Sequence, residues 1–209
     1  MLNDESRQQD ALALETAEHC PLSEEARAVL APDLTSEQYL ARLISGEQYS
    51  DAIRFAAYCL PKRDAVWWGT LCLWEAYRTE AEEPIEASVH AVFESLIAWI
   101  QDPNETNRRM VETAGRDAGI TTPPGQLAMA AFFSEGSISL PGQPEVEPKP
   151  WYTAKNVASS VLAASKINRP TDPTTSQRAF LVLVAEQGEG KLPWNLSEKP
   201  PVEATSSAE

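Results

Sequence analysis

The chain has 209 residues, 43% of them apolar, and sets 17 Lys and Arg against 31 Asp and Glu for a formal charge of −14. That length holds one domain of ordinary size, or one domain with a tail, and the apolar fraction suffices for a sizeable core. The acidic balance speaks against nucleic acid and anionic membrane surfaces, whose binding draws on basic patches.

The opening residues MLNDESRQQD are polar and acidic, without the basic start and apolar run of a secretory signal. No apolar stretch approaches the roughly 18 residues that a membrane span needs. A cytoplasmic protein without membrane insertion is expected. Cys20, Cys59 and Cys72 form no Cys-x-x-Cys pair and suit small buried hydrophobes in a reducing compartment.

Residues 1–21 are polar, with a marginal helix around Leu12 and Leu14. From Leu22 the punctuation is that of helices. Ser23, followed by Glu24 and Glu25, is an N-cap for a helix ending near Ala31-Pro32. Thr35 and Gln38 form a capping box, Leu34 can staple onto Tyr39, and Gly46 stands at the expected C-terminal glycine position. Asp51 to Trp74 is the centre of the pattern: two helices broken at Leu60-Pro61, because proline disfavours helix in the residue before it. The first carries Tyr49, Ala52, Ile53, Ala56 and Leu60 on one face, with Asp51, Arg54 and Tyr58 as a polar edge. The second is apolar over most of its circumference (Val66, Trp67, Leu71, Leu73, Trp74, Tyr77), the mark of an enclosed helix.

Further helices are expected from Pro84 to Ile100, from Asp102-Pro103 with a thin apolar face and a peripheral place, and from Thr122-Pro123. Residues 136–150 are proline-rich and unpatterned, a linker of polyproline character. Two helices follow, Tyr152 to Ile167 rich in small residues and one beginning at Asp172-Pro173. Trp194 is a possible anchor, and residues 195–209 form a polar, disordered acidic tail. No convincing alternating strand occurs. The expected fold is all-α, an antiparallel helical bundle or a short solenoid of helical hairpins, with residues 22–194 as a single domain.

Chemistry is sparse. His19 and His90 lack partners at metal-ligand spacing, and no HExxH, Walker, GxSxG or GxGxxG motif is present. Gly188 to Lys191 resembles a phosphate loop without its flanking strand and helix. Glu24/Glu25 and Glu82/Glu83 stand at helix starts, where carboxylates suit the helix dipole. No catalytic residue, metal or cofactor is expected, and the chain is taken not to be an enzyme. One local rule is broken: Lys62 and Arg63 lie in the first turn of a helix, where cations are disfavoured. Either they pair with Asp64 or Asp51, or with Arg54 they form a basic spot that binds an acidic segment of a partner. Adjacent Trp67 and Trp68 point about 100° apart, so both are buried only in a helix enclosed on two sides; otherwise Trp68 is an interface anchor. The candidate partner-binding residues are therefore Arg54, Lys62, Arg63 and Trp68.

The segments Asp51-Ala-Ile-Arg-Phe and Leu60-Pro-Lys-Arg-Asp-Ala-Val-Trp-Trp, with the later Pro124-Gly-Gln-Leu-Ala-Met-Ala-Ala-Phe-Phe and Gly190-Lys-Leu-Pro-Trp, resemble an uncharacterised family of bacterial helical proteins encoded near type VI secretion genes. The similarity runs from about Leu22 to Trp194. It implies a context and no mechanism: a cytoplasmic, non-catalytic protein-interaction module, an adaptor or chaperone-like accessory whose partner is an apparatus component or effector. The alternative is an acidic immunity protein that neutralises a toxin.

Overall fold

The computed structural model describes residues 12–78, 85–140, 142–167 and 171–188. The described residues are helical, with one isolated antiparallel bridge between Leu12 and Thr35. In chain order the helices are α1 (Ala13–His19), α2 (Glu24–Ala28), α3 (Ser36–Ser45), α4 (Tyr49–Cys59), α5 (Lys62–Arg78), α6 (Ala87–Gln101), α7 (Glu105–Asp117), α8 (Pro123–Phe132), α9 (Tyr152–Ala164) and α10 (Thr174–Gly188). The all-α expectation holds. Pro84, Trp194 and the tail lie outside the described residues, as do residues 1–11.

Capping fixes several boundaries. Ser23 Oγ accepts from the Ala26 N–H, and Thr35 with Gln38 closes the expected capping box. Thr122 Oγ1 accepts from the Gly125 N–H, with Pro123 in the first turn of α8. Three expectations need correction. Before α7 the cap is Asn104, whose side chain accepts from the Asn107 N–H, so Asp102-Pro103 stays in the connection. After α3 the left-handed residue is Glu47 at φ 58°, while Gly46 keeps a negative φ. α2 is one short turn and stops well before Pro32.

α5 is the enclosed helix that its composition implies. Ala65 through Leu73 are all buried, and it packs against α4, α6, α8, α9 and α10. Trp67 and Trp68 are both inside. Consecutive helices from α3 to α9 pack pairwise, but α9 and α10 return to lie against α4 and α5. The arrangement is thus a closed bundle rather than an open solenoid. α9 can approach α8 because four of its six buried positions are small, Thr153, Ala158, Ser160 and Ala164, with Val157 and Val161 the other two. Ser160 Oγ donates to Pro123 O at 2.7 Å, tying the two together. At the α7–α8 turn, a Cβ on Gly125 would stand 2.0 Å from the Gly119 carbonyl oxygen, so only glycine fits there.

α1 belongs to the same core. Its buried residues are Ala13 and Ala17, while Leu12 and Leu14 face outward. The domain therefore starts before Leu22, held by alanines that allow α1 to sit close to α3 and α4.

The core around α1, α3 and α4 contains proton-bearing groups shielded from water. Burial pushes the Cys20 and Cys59 thiols up to about 12 from 9.0. Burial, helped by the Asp51 charge, pushes the Tyr39 phenol up to about 12 from 10.0. The folded chain thus keeps protons that the unfolded chain releases. Their contribution to stability is complete below the unfolded values and is lost as pH rises through the folded ones. Tyr39 adds a direct reason, since its hydroxyl donates to Ala26 O at 2.7 Å and cannot do so once ionised. Thermal melts are expected to hold steady to about pH 9 and fall steadily towards about pH 12. A midpoint unchanged across that range would show these groups to be solvated.

Candidate functional site

The four residues singled out in the sequence have separate places in the fold. Arg54 Nη1 donates to Asp51 Oδ1 at 3.1 Å, one turn back along α4. Asp51 also accepts from the backbone N–H and hydroxyl of Ser23 at 3.0 and 2.9 Å, which pins α2 to α4. Lys62 Nζ donates to Ser134 O at 2.6 Å, and Arg63 Nε donates to Ile100 O at 2.7 Å, joined there by Nη2. Ser134 follows Phe133, the C-cap of α8, and Ile100 lies in the last turn of α6.

Both members of the basic pair thus donate to carbonyls at or just beyond helix C-termini, while the Asp51 carboxylate takes up Ser23 and Arg54. A cation at the N-terminus of its own helix loses about 0.3–1 kcal/mol, whereas a hydrogen bond from a charged donor contributes about 1.5–3 kcal/mol. The cross-helix bonds win, and the broken rule is satisfied by neighbours. Trp68 is corrected outright: it is 0% exposed and its indole N–H donates to Phe180 O at 2.9 Å, so it cannot anchor a partner at the surface.

A different cluster forms on α7. Glu105, Arg108, Arg109, Glu112 and Arg116 are spaced at three and four residues, so their charges meet along one helix side. Arg108 is 1% exposed, donates to Phe132 O at 2.7 Å and Ser137 O at 2.9 Å, and lies 4.8 Å over the Phe132 ring. Arg109 donates to Ser137 O at 2.8 Å and Ser139 O at 2.9 Å. Gly136, at φ 67°, lets the chain pass: a Cβ there would meet Arg108 Nη2 at 3.0 Å. The connection then closes on itself, with the Ile138 N–H donating to Val146 O at 2.8 Å and Ser137 Oγ accepting from the Val146 N–H at 3.0 Å. The proline-rich stretch is thus a loop clamped to α7 by two arginines.

Between the outer side of α7 and this loop lies an open cleft of about 670 Å³. Met110 on α7 and Leu140 on the loop, both among its lining, are 54% and 69% exposed. Glu105 and Glu145 bring carboxylates to it and Arg109 a guanidinium. Desolvation alone would raise the Glu105 carboxyl; the hydrogen bonds and charges of Arg109 and Arg108 outweigh it and hold it below its ordinary value. Among the described residues no group of three His, Cys, Asp or Glu could hold a metal ion, and no helix is long and apolar enough to cross a membrane.

The model of the family of unknown function DUF6931 matches residues 39–186. The chain belongs to that family. The matched stretch contains the α4–α5 elbow, the arginine clamp and α9, and leaves α1 and α2 before it. No curated protein and no solved structure matches the chain.

In the sequence the clamp shows only as the spacing Glu105-x-x-Arg108-Arg109-x-x-Glu112, which gives the charge ladder and not the loop that it holds. Arg108→Met keeps the buried stem and removes the donors, leaving Phe132 O unpaired. It is expected to cost about 1–3 kcal/mol in a denaturant melt and to speed proteolytic cleavage within residues 137–146. Wild-type cleavage rates in the variant would show that the loop is held without the arginine.

Proposed function

We propose that this protein is a non-catalytic, cytoplasmic protein-interaction module, an adaptor or chaperone-like accessory that docks its partner in the cleft over α7. The observation that carries this reading is the pairing of exposed Met110 and Leu140 across a cleft whose two walls are locked together by Arg109. A preformed cleft loses little entropy on binding, and methionine adapts its shape to an incoming apolar side chain. Glu105 and Glu145 beside these residues suit an apolar segment flanked by cations. The resemblance to proteins encoded near type VI secretion genes is the ground for expecting an apparatus component or effector of that system as the partner.

A second reading, an acidic immunity protein that neutralises a toxin, is favoured by a different surface. Glu15, Glu18, Glu24, Glu25, Asp33, Glu37 and Glu47 are all exposed on and around α1 to α3. The cations among them, Arg27 and Arg42, are bonded to Cys20 O and Val29 O.

Affinity purification from the producing cells, with mass spectrometry, separates the two readings. An adaptor is expected to bring down apparatus or cargo proteins, and Met110→Lys with Leu140→Glu is expected to weaken that capture at least about tenfold with an unchanged melt. An immunity protein would bring down one toxin, rescue cells from it, and bind it equally well in the cleft variant. Undiminished capture of apparatus proteins by the variant would remove the cleft from the reading.

A further inference from the structure

Charge is spread unevenly along the chain. Residues 12–48 set two Arg against seven Asp and Glu, whereas residues 148–185 set five Lys and Arg against a single Asp. The seven carboxylates are all exposed. Among the described residues none of them has an ion-pair partner, although Glu105 and Glu112 on α7 each have two. The two cations beside them are engaged with backbone: Arg27 Nη2 donates to Cys20 O at 2.9 Å and Arg42 Nη1 to Val29 O at 3.4 Å. Unpaired like charges on one surface repel one another, so a cationic neighbour is favoured there.

An apolar groove of about 490 Å³ lies in this acidic surface, between the C-terminal end of α2 and α3. Val29, Leu30, Ala31 and Ala41 line it, and Val29 is 39% exposed. Glu25 precedes Val29 and Glu37 precedes Ala41 by one helical turn, so carboxylates stand at its edges. The complementary surface is on the same molecule. Gln177 Nε2 in the first turn of α10 reaches Ser50 Oγ at 3.2 Å and Ser165 Oγ at 3.5 Å, joining the starts of α10 and α4 to the end of α9. Lys166 and Arg178, the residues that follow Ser165 and Gln177, are exposed and have no ion-pair partner among the described residues. Val182, one turn beyond Arg178 on the same side of α10, is 55% exposed. Ser45 lines the groove and Ser50 opens the next helix, so the basic knob and the acidic groove are neighbours.

We propose that a second copy of the chain fills the groove. α10 of each protomer lays Val182 into the α2–α3 groove of its partner, with Lys166 and Arg178 against the carboxylates at the edges. Because knob and groove are neighbours, one two-fold axis satisfies both, and the contact is made twice. Val182 supplies the apolar centre, and the charges around it fix the register. The net charge of −14 on each copy opposes association from a distance. At physiological salt, however, exposed charges are screened beyond about 8 Å, so the pairs within the interface decide the outcome. The interface uses none of the residues of the cleft over α7 and stands or falls without it.

The test is sedimentation equilibrium of the full-length chain at physiological salt, from micromolar to submillimolar concentration. A mass that rises with concentration towards twice 22.9 kDa is expected. Val29→Asp and Val182→Asp change exposed side chains, so each is expected to keep the wild-type melt and to weaken the dimer at least about tenfold. Lys166→Glu/Arg178→Glu and Glu25→Lys/Glu37→Lys are each expected to be monomeric alone. Their equimolar mixture is expected to dimerise, because each knob then meets a groove of opposite charge. Met110→Lys with Leu140→Glu is expected to leave the dimer unchanged. A mass of 22.9 kDa throughout leaves the groove to a different basic segment and overturns the proposal. So does wild-type dimerisation in both aspartate variants, or a charge-swapped mixture that stays monomeric.

Discussion

The first turn of α5 carries the contact on which the bundle depends. Two cations sit where their own helix dipole opposes them, and each is held by the carbonyl end of another helix: Lys62 by Ser134 beyond α8, Arg63 by Ile100 in α6. Helix C-termini present carbonyls with no internal donor, so the same bonds satisfy groups that would otherwise need water. The elbow at Leu60-Pro61 thereby fixes where α6 and α8 end relative to α5. Beyond that turn α5 enters the core, and the Trp68 indole reaches Phe180 O on α10.

From this follows the way the chain closes. Because α5 is buried all round from Ala65 to Leu73, that stretch needs cover on every side, and the helices up to α8 leave part of it open. α9 and α10 supply the rest, but α9 can reach α4 and α5 only after a long connection from Phe133 to Trp151. Such a length of chain without regular structure has many unbonded backbone groups. Arg108 and Arg109 take up the carbonyls of Ser137 and Ser139, so that the connection becomes a fixed wall. Its other end delivers Pro150 and Trp151 to a cavity between α1, the α4–α5 elbow and the start of α9. One crossing connection therefore lines both the cleft over α7 and the cavity at the start of α9.

What the sequence made legible was whatever depends on neighbours in sequence. The break at Leu60-Pro61, the capping box at Thr35 and the enclosure of α5 were readable from spacing and cap chemistry. α1 was harder, since Ala13 and Ala17 bury its contact face while the two leucines that draw the eye face outward. The role of Lys62 and Arg63 was visible only as a conflict, because the carbonyls that resolve it lie 72 and 37 residues away. Arg108 reads as one member of a surface charge ladder until Phe132 and Ser137, brought in by the turn after α8, cover it. Trp68 could not be assigned to core or surface until α10 was in place.

The central claim is that Lys62 and Arg63, at the surface, stabilise the ends of α6 and α8 through their carbonyls. Native-state hydrogen exchange on Lys62→Met/Arg63→Met, compared with wild type, tests it most directly, because it reads each helix end separately. Faster exchange confined to the last turns of α6 and α8, with α4 and the middle of α5 unchanged, is the expected result. Unaltered protection at both helix ends would contradict the claim and leave the pair as surface cations without a structural role.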